Sequence, residues 1–326
     1  MKKKLPFFSI IIATYNRPEE LSICLKAMEG INYPRTRYEV IVIDDGGKFT
    51  LDSTVEPFRN SLKLTLLRQE NTGCGGARNT GVAKARGDVL AFTDDDCAPD
   101  PEWLNEMASE MRANPNRVIG GRVINALTEN PYSTTSQLLT SYLYDYFRSN
   151  KSNYRFFTTS NLAISAELFN SIGGFDATLR TAEDRDLCAR AILFGSELHY
   201  AQGAIIYHSH HLTFSSFCNQ HYTYGRGAVY YHRKLAAYYK SKIKPDSPSF
   251  FINLLKFPFS QVGFLKAFTL SGLLLLSQIV YAAGYFMEKI NPQEDKEQNF
   301  ITNLSKVVRT LITRQISLKF DGIPHT

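Results

Sequence analysis

Three adjacent carboxylates, Asp94, Asp95 and Asp96, directly follow an apolar run at residues 89–92 that predicts a buried strand. Neighbouring carboxylates repel one another, so a counter-charge is expected beside them. A hard divalent cation takes oxygen ligands of this kind, and a diphosphate would supply the remaining ligands. A solvated acidic turn is the alternative explanation. The pattern favours a cation and phosphate site at the end of a strand.

Two further clusters could bind a nucleotide. Gly73, Gly75 and Gly76 precede a predicted helix, where backbone N–H groups can approach an anion and Arg78 can add a charge-assisted hydrogen bond. The same glycines are also typical of a tight structural turn. The pair Asp44 and Asp45 ends a second apolar run at residues 39–43. Either carboxylate could accept a hydrogen bond from a base or a ribose hydroxyl, or could instead cap the turn that follows.

Acidic and histidine clusters occur later in the chain. Glu183, Asp184 and Asp186 open a predicted helix, where the helix dipole alone would favour acidic residues. His208 ends a predicted strand at residues 204–207 and is followed by His210 and His211. Each histidine is either a metal ligand or a polar strand end. Because Asp94–Asp96 already imply a cation, we favour the ligand role.

The elements that must position these residues alternate between strand and helix. Apolar runs at 8–13, 39–43, 64–67 and 89–92 predict strands, with helical spacing between them, for example from Pro18 to Met28. This alternation predicts an α/β fold with a mostly parallel sheet and helices on both faces. In such sheets ligands bind beyond the carboxyl ends of the strands. The polar clusters at residues 14–17, 44–45 and 94–96 fall at those ends.

Composition restricts the class of protein. A net charge of +6 is too small to indicate a nucleic-acid partner, and none is predicted. The five cysteines form no C-x-x-C pair, which is typical of reduced thiols in the cytosol. The apolar run at residues 7–13 is interrupted by a serine and has no small-residue cleavage site after it. We interpret it as a buried strand and not as a secretion signal.

The C-terminal third suggests contact with a membrane. Between Glu197 and Glu288 the only acidic residue is Asp246. The basic residues in that interval are Arg226, Arg233, Lys234, Lys240, Lys242, Lys244, Lys256 and Lys266. A basic stretch interleaved with aromatic residues suits an anionic lipid surface. Residues 267–286 carry no charge and are about long enough to cross a bilayer.

That uncharged segment is only marginally apolar, because it contains Thr269, Ser271, Ser277 and Gln278. Apolar residues at helical spacing over 301–312, beside basic residues, resemble an interfacial amphipathic helix. We therefore expect in-plane or re-entrant attachment of the region after residue 240, in preference to a simple span. A buried helix of a soluble protein or a homodimer is the alternative.

Taken in order, the motifs resemble those of inverting GT-A glycosyltransferases of family 2, over about two thirds of the chain from Phe8 to Gly227. The matching segments are 11–17 (IIATYNR), 42–46 (VIDDG), 71–81 (NTGCGGARNTG), 92–96 (FTDDD), 160–163 (SNLA), 173–176 (GGFD), 183–187 (EDRDL) and the late His208. Each segment is modest alone, but the ordered set is specific. The resemblance implies transfer of a sugar from a nucleotide-diphosphate donor to an acceptor hydroxyl, with inversion.

The resemblance also implies roles for single residues. Asp96 and His208 would bind Mg²⁺ or Mn²⁺, Asp184 would be the catalytic base and Arg226, in the segment 224–227 (YGRG), would face a phosphate. The remaining nucleotide-sugar-binding candidates are Ala13, Thr14, Asn16, Arg17, Asp44, Asp45, Asn71, Gly73, Arg78, Asp94, Asp95 and Asn161, and Glu183 accompanies Asp184 as a catalytic candidate. The chain lacks the Q-x-x-R-W signature of processive synthases, so single-sugar transfer is expected.

The predicted organisation is a GT-A domain over residues 1–235 and a basic, apolar, helical membrane-associating region over 236–326. Within the domain, residues 1–100 form the nucleotide-sugar-binding half and 101–235 the acceptor half. The predicted partners are the donor, a glycan or lipid-linked acceptor and the inner face of the cell membrane, and a homodimer is left open.

A sugar-nucleotide pyrophosphorylase and an inactive membrane-bound scaffold are the alternative functions. A sugar-nucleotide pyrophosphorylase should carry a glycine-rich loop with a lysine after the first strand, where this chain has Thr14-Tyr-Asn-Arg17. An inactive scaffold should have lost Asp96 or Asp184, and both are present.

Overall fold

The structure is a computed structural model that describes residues 5–149, 155–240 and 246–292. The predicted amphipathic segment 301–312, together with Lys242 and Lys244, lies outside the described residues.

The N-terminal half forms the predicted parallel strands. They are β1 (Phe8–Thr14), β2 (Tyr38–Asp44), β3 (Leu64–Arg68) and β4 (Val89–Asp94), paired in the order β3-β2-β1-β4. Ile10 and Ile12 of β1 pack into one apolar cluster, whereas Ile11 packs into the cluster on the opposite face. Burial on both faces explains why these strands read as near-continuous apolar runs.

The second half makes the sheet mixed. Its strands are β5 (Cys97–Pro99), β6 (Arg117–Asn125), β7 (Leu162–Ser165) and β8 (Glu197–His208), and the full order is β3-β2-β1-β4-β7-β6-β8-β5. β7 runs antiparallel to β4 and β6, and β5 runs antiparallel to β8, whereas β6 and β8 are parallel. Among the described strands, six therefore share one direction. The predicted α/β fold with a mostly parallel sheet is confirmed, with β5 and β7 reversed.

Helices cover both faces of the sheet and extend beyond it. They are α1 (Pro18–Met28), α2 (Asp52–Val55), α3 (Gly73–Val82), α4 (Trp103–Ala113), α5 (Pro131–Ser149), α6 (Ala166–Ser171), α7 (Glu183–Leu193), α8 (Phe214–Tyr239), α9 (Pro248–Lys256) and α10 (Phe264–Ile290). Pro18 occupies the first turn of α1, as predicted. The aromatic stretch around Tyr142, for which we predicted no element, forms α5.

α10 packs directly on α8. A Cβ added to Gly225 of α8 would overlap the carbonyl oxygen of Tyr281, and one added to Gly284 of α10 would overlap that of Tyr222. Glycine at both positions therefore lets the two backbones touch. Arg226 Nε donates to Glu288 Oε2 at 2.6 Å across the same contact. The predicted domain division at residue 235 falls within α8 and remains a prediction. α10, which lies after that division, packs closely on α8.

The outer side of α10 is apolar and exposed. An 18-residue window of this 27-residue helix has a mean hydropathy of 1.6, and 28% of that window is buried. Exposed apolar side chains recur at alternating four- and seven-residue spacing: Phe264, Phe268, Leu275, Ile279, Phe286 and Ile290. We call this set the α10 stripe. By length and composition α10 could cross a membrane, and the stripe fits membrane association.

Candidate active site

A cavity of about 1250 Å³ opens at the carboxyl ends of β1 and β4. One wall comes from the segments after β1, β2 and β4 together with α3, and we call it the donor wall because the predicted nucleotide-sugar-binding residues lie on it. Its opposite wall comes from α5, α8 and α10. The predicted site residues that line it are Ala13, Thr14, Arg17, Asp45, Arg78, Asp94, Asp95, Asp96, Glu183, Asp184 and His208. The fold thus gathers residues from six separate motifs around one space.

The three adjacent aspartates are already paired with cations. Arg17 donates Nη1 to Asp95 Oδ1 at 2.7 Å and Nη2 to Asp96 Oδ2 at 2.8 Å. Thr14 Oγ1 donates to Asp95 Oδ2 at 2.7 Å, yet burial raises the pKa of Asp95 to about 7. Burial also opposes ionisation of Asp96, but the hydrogen bond from His208 and the charge of Arg17 lower its pKa. The expected counter-charge therefore comes from protein side chains, and charge balance alone does not require a metal.

Arg78 connects Asp94 to Glu183 at the start of α7. Its buried guanidinium donates Nη2 to Asp94 Oδ1 at 2.8 Å and Nη1 to Glu183 Oε1 at 2.7 Å. The glycines that we predicted to precede this helix instead form the first turn of α3, which begins at Gly73. Arg78, in the next turn, pairs with Asp94 at the end of β4. Glu183 is thereby held as an ion-pair partner of Arg78.

Asp94, Asp96 and His208 offer ligand atoms that lie within 4.8 Å of one another, together with Cys97. His208 Nε2 lies 3.0 Å from Asp96 Oδ1 because β5 pairs with β8 at Cys97 and His208. Burial raises the pKa of the Cys97 thiol well above its usual value, which keeps the sulfur neutral and poorly suited to a hard cation. Two carboxylates and one imidazole fit Mg²⁺ or Mn²⁺.

The acidic residues at the start of α7 have three different environments. Asp186 is fully buried and accepts from Arg190 Nε at 2.8 Å, and Glu183 pairs with Arg78. Asp184 Oδ1 accepts only from the backbone N–H of Arg185, at 2.7 Å, among the described residues. Burial, reinforced by the negative charge of Glu183, raises the pKa of Asp184 to about 7. Of these carboxylates, Asp184 is the one that lines the cavity without an arginine partner.

The aspartates after β2 shape the turn and the start of α3. Asp44 is buried, and its Oδ1 accepts from Gly47 N at 2.8 Å. Asp45 accepts from Thr72 N at Oδ1 and from Gly73 N at Oδ2, both at 2.9 Å. These N–H groups belong to the helix start that we expected to receive a substrate anion. The carboxylate of Asp45 takes that position and caps α3, while also lining the cavity.

Several predicted ligands serve the protein framework instead. Asn16 adopts a left-handed conformation (φ 57°), and its Oδ1 accepts from Lys48 N at 2.6 Å. The Asn71 side chain donates to the backbone oxygen of Asp45 at 2.9 Å, so both asparagines fix turns. Within the described part of the chain, the cavity lining does not include Asn16, Asp44, Asn71, Gly73, Asn161 or Arg226.

Asn161 is the clearest of these cases. Its Oδ1 accepts from Trp103 Nε1 at 2.9 Å, and its Nδ2 donates to the carbonyl oxygens of Arg122 and Ala204 at 3.0 and 2.9 Å. The side chain is 1% exposed and all of its polar atoms are occupied, so it is not placed to contact a substrate. Arg226 faces Glu288 rather than the cavity, contrary to the expected phosphate contact.

The opposite wall contains residues that were not predicted to belong to the site. They include Arg185 on α7, His221, Tyr224, Tyr231 and His232 on α8, and Tyr281, Tyr285, Phe286 and Lys289 on α10. One signal was present in the sequence: positions 217, 221, 224, 228, 231 and 235 recur at helical spacing. That spacing indicates a buried helix face, but it does not distinguish a cavity wall from a packed core.

Comparisons with known proteins agree with this geometry. The family model for Glycosyl transferase family 2 matches residues 9–173. Glycosyltransferase AglE of Haloferax volcanii is 29% identical over 235 residues, which are 70% of this chain and 75% of AglE. Hyaluronan synthase of Pasteurella multocida is 27% identical over 237 residues, which are 61% of this chain but only 24% of that protein.

Solved structures share the fold. Mannosyltransferase PcManGT from Pyrobaculum calidifontis, in complex with GDP-Man and Mn²⁺, superposes with a TM-score of 0.58 at 16% identity, covering 98% of this chain and 89% of that one. Staphylococcus aureus TarS 1–349 superposes with a TM-score of 0.52 at 18% identity, covering 94% and 82%. The fold is therefore that of GT-A glycosyltransferases. Because the family model covers half of the sequence and the motifs meet in one cavity, the chain belongs to glycosyl transferase family 2 and is a glycosyltransferase.

Proposed function

We propose that this glycosyltransferase moves one sugar from a nucleoside-diphosphate donor to an acceptor hydroxyl, with inversion and with the help of a divalent cation, at the cytoplasmic face of a membrane. The observation that carries the proposal is the position of Asp184. Its carboxylate has no arginine partner among the described residues, its pKa is raised to about 7, and it faces the same cavity as Asp94, Asp96 and His208. A base and a leaving-group site in one cavity are what a single displacement requires.

The donor wall supports nucleotide binding. Ala13, Thr14 and Asp45 surround the end of the cavity beside β1 and β2, where we place the nucleobase. Asp45 Oδ1 accepts hydrogen bonds from Gln69 and Thr72, and Oδ2 accepts one from Gly73 N. One lone pair of Oδ2 is therefore left to accept from a base N–H. Arg78 lies in the second turn of α3 and is assigned to the base or diphosphate, and Asp94 to the ribose.

Asp96 and His208, with Asp94 beside them, are the residues that would hold the cation. When bound, the ion would neutralise charge on the departing nucleoside diphosphate. Arg17 and Arg78 hold these carboxylates in place before a ligand arrives. GDP-Man and Mn²⁺ in PcManGT are consistent with such a site, and we extend the donor class and the cation requirement to this chain as part of the proposal.

Asp184 acts as the general base. It takes the proton of the acceptor hydroxyl while that oxygen forms a bond to the anomeric carbon and the bond from this carbon to the diphosphate oxygen breaks. One displacement inverts the configuration. A base with a pKa near 7 is half ionised at neutral pH and is well matched to this transfer. Glu183 supports the site by fixing Arg78 rather than by accepting the proton.

A donor screen tests this function. Thermal unfolding of the full-length chain with Mn²⁺ and a panel of nucleoside-diphosphate sugars should show a rise in Tm for the cognate donor, because a ligand that binds the native state stabilises it. Excess EDTA should remove both this shift and turnover. Asp96→Ala should weaken donor binding, and Asp145→Ala, at an exposed helix position outside the cavity, is the matched control. Full activity in EDTA would contradict the metal requirement.

Membrane attachment rests on the α10 stripe. Phe264, Phe268 and Ile279 are 69%, 66% and 58% exposed, which is costly for apolar side chains in water. The basic stretch contributes less than the sequence suggested, because Arg226 pairs with Glu288 and Lys234 pairs with Asp176. Lys240 and Lys256 remain exposed. We propose that the stripe lies in the bilayer interface, with the cavity facing the cytoplasm.

Surface substitutions test this attachment better than truncation, because α10 also walls the cavity. Phe264→Ser combined with Phe268→Ser should move the chain from anionic vesicles to the supernatant in a sedimentation assay. Phe49→Ser, at an exposed phenylalanine on the N-terminal half, is the control. If the stripe is instead covered by a second copy, the wild-type chain will ignore vesicles and have the mass of a dimer in detergent-free light scattering.

A further inference from the structure

The part of the cavity that is lined by α7, α8 and α10 carries positive charge without paired carboxylates among the described residues. The Arg185 guanidinium lies 4.1 Å from the ring centre of Phe156, and Lys289 Nζ lies 5.4 Å from that of Tyr285. Neither cation forms an ion pair within the described residues. The His232 ring lies 5.7 Å from the ring of Tyr285, between the helices that carry the two cations. Burial, together with the charges of Arg185 and Lys289, lowers the pKa of His232 to about 4, so this imidazole is neutral near pH 7. We call Arg185 and Lys289 the basic end.

The acidic side chains around the basic end do not neutralise it. Glu288 is 2% exposed, and its carboxylate accepts from Arg226 at 2.6 Å and from Tyr230 at 2.5 Å, so it is committed elsewhere. Asp246 lines the cavity near Arg185, but no ion pair joins the two residues. Asp184 and Glu183 lie on the donor side of Arg185 along α7. The basic end therefore has room for an anion of the acceptor.

An apolar path leads from the basic end to the outside of the protein. Phe286 lines the cavity and is also 60% exposed, as a member of the α10 stripe. Phe251 on α9 likewise lines the cavity and is 41% exposed. The two phenylalanines connect the cavity with the surface that we propose to lie in the bilayer. An acceptor that entered along them would keep an apolar chain in the membrane and bring a polar head to the basic end.

These features together match one chemical class. We propose that the acceptor is a lipid-linked phosphate: its phosphate binds Arg185 and Lys289, its lipid chain runs over Phe286 along the stripe, and its terminal sugar reaches Asp184. Arginine and lysine bind phosphate through charge-assisted hydrogen bonds, and aromatic rings beneath them restrict their motion. Arg185 directly follows Asp184, so the phosphate and the reacting hydroxyl would lie within one or two sugar rings of each other. This inference rests on the proposed transfer reaction.

The test measures lipid binding separately from activity. The full-length chain, held in neutral detergent micelles, is titrated with a polyprenyl phosphate, with the uncharged polyprenol of the same length, and with glucose 1-phosphate. We expect the polyprenyl phosphate to bind at least about tenfold more tightly than either of the others, because only this ligand has both a charged head for the basic end and an apolar chain for the stripe. Equal binding of the polyprenol would overturn the role of the basic end, and equal binding of glucose 1-phosphate would overturn the lipid.

Two variants locate the site. Lys289→Gln, at an exposed position, and Arg185→Gln should each weaken polyprenyl phosphate binding about tenfold, the loss typical of one charge-assisted contact. Lys256→Gln removes an exposed lysine outside the cavity and should change nothing. Unchanged binding in both test variants would refute the proposal. Nucleotide binding with Mn²⁺ is measured on the same samples, so a failure of the donor site is seen independently of a failure of the lipid site.

Discussion

The two walls of the cavity differ in how their polar groups are satisfied. On the donor wall, Asp94, Asp95 and Asp96 all accept hydrogen bonds from Arg17, Arg78, Thr14 or His208. On the opposite wall, Ser136 Oγ, Thr181 Oγ1 and His221 Nε2 are buried without a hydrogen-bond partner among the described residues, whereas the donor wall has one such atom, Arg78 Nε. Both walls enclose the same space, yet the opposite wall has more unpaired buried polar atoms.

This difference indicates how each wall meets its ligand. Paired side chains hold the donor wall in one geometry, so a nucleotide can bind without reorganising it. An unpaired buried polar atom costs free energy, about 1–3 kcal/mol, unless a ligand or water bonds to it. The opposite wall therefore gains more from an acceptor that brings hydroxyl groups. We therefore expect the donor site to be preformed and the acceptor site to be completed by the substrate.

The largest effect is expected where the walls meet, at Asp184. Asp184→Asn removes the base but keeps the shape, so turnover should fall by at least about 10²-fold while donor binding and Tm stay near normal. Steady-state rates and thermal unfolding of this variant are the measurements. A role in the helix dipole alone would cost about 0.3–1 kcal/mol of stability and little activity. Near-wild-type turnover would therefore refute the assignment.

Because the pKa of Asp184 is raised to about 7, the difference between the wild type and this variant should depend on pH. The wild-type rate should increase as pH rises through about 7, since only the ionised carboxylate accepts a proton. Stability has the opposite sign: a carboxyl whose folded pKa is raised stabilises the protein below its ordinary pKa, and that contribution is lost as pH rises through about 7. Asp184→Asn should thus gain Tm relative to wild type at pH 8.5 but not at pH 4. Asp95, which has a similarly raised pKa, is present in both proteins and cancels.

The donor wall was largely predictable from sequence because its residues lie at the ends of strands. Alternating apolar runs predicted β1, β2, β3 and β4, and parallel pairing then brings Thr14, Asp44 and Asp94 to one edge. The partners of these residues were not predictable. Nothing local indicates that Arg17 and Arg78 neutralise the aspartates, since those contacts span 78 and 16 positions of sequence.

The opposite wall was not predictable, because it depends on packing between helices far apart in sequence. From sequence, residues 267–286 favour membrane attachment but also allow a buried helix, and the close approach of Gly225 to Tyr281 decides where α10 lies. Asn161 shows a related limit. A motif match marks a residue as important, but only the structure shows that its amide holds Trp103 and two backbone carbonyls rather than a ligand.

Asn161→Ala should therefore destabilise the fold without disturbing the donor site directly. It leaves Trp103 Nε1 and the carbonyl oxygens of Arg122 and Ala204 without their partner, at a cost of about 3 kcal/mol. Urea unfolding measures this loss, and nucleotide Kd, measured well below the transition, should change less than about twofold. A large loss of nucleotide affinity with unchanged stability would return Asn161 to the substrate-binding residues.

The packing of α10 on α8 can be tested by a pair of matched glycine substitutions. Gly284→Ala places a methyl group against the carbonyl oxygen of Tyr222 and should cost about 2 kcal/mol, as overpacking does. Gly272→Ala lies on the same helix with open space around it and should be neutral or slightly stabilising. Thermal unfolding compares the two variants. Equal effects would mean that α10 does not pack on α8 in solution. In that case α10 would not form part of the opposite wall of the cavity.

The smallest effect separates two roles of one donor-wall residue. Asp45 caps α3 through Thr72 N and Gly73 N, and it also lines the cavity. Asp45→Asn keeps one acceptor oxygen but loses the charge that faces the helix dipole, so stability should fall by about 0.5–1 kcal/mol. If the carboxylate also accepts from the nucleobase, nucleotide Kd should rise about tenfold, because an amide that turns its NH₂ toward the base cannot accept. The stability and the nucleotide Kd should change independently of each other. A loss of stability with unchanged nucleotide Kd would leave Asp45 as a helix cap only, and base recognition would then fall to the backbone around Ala13 and Thr14 on the same wall.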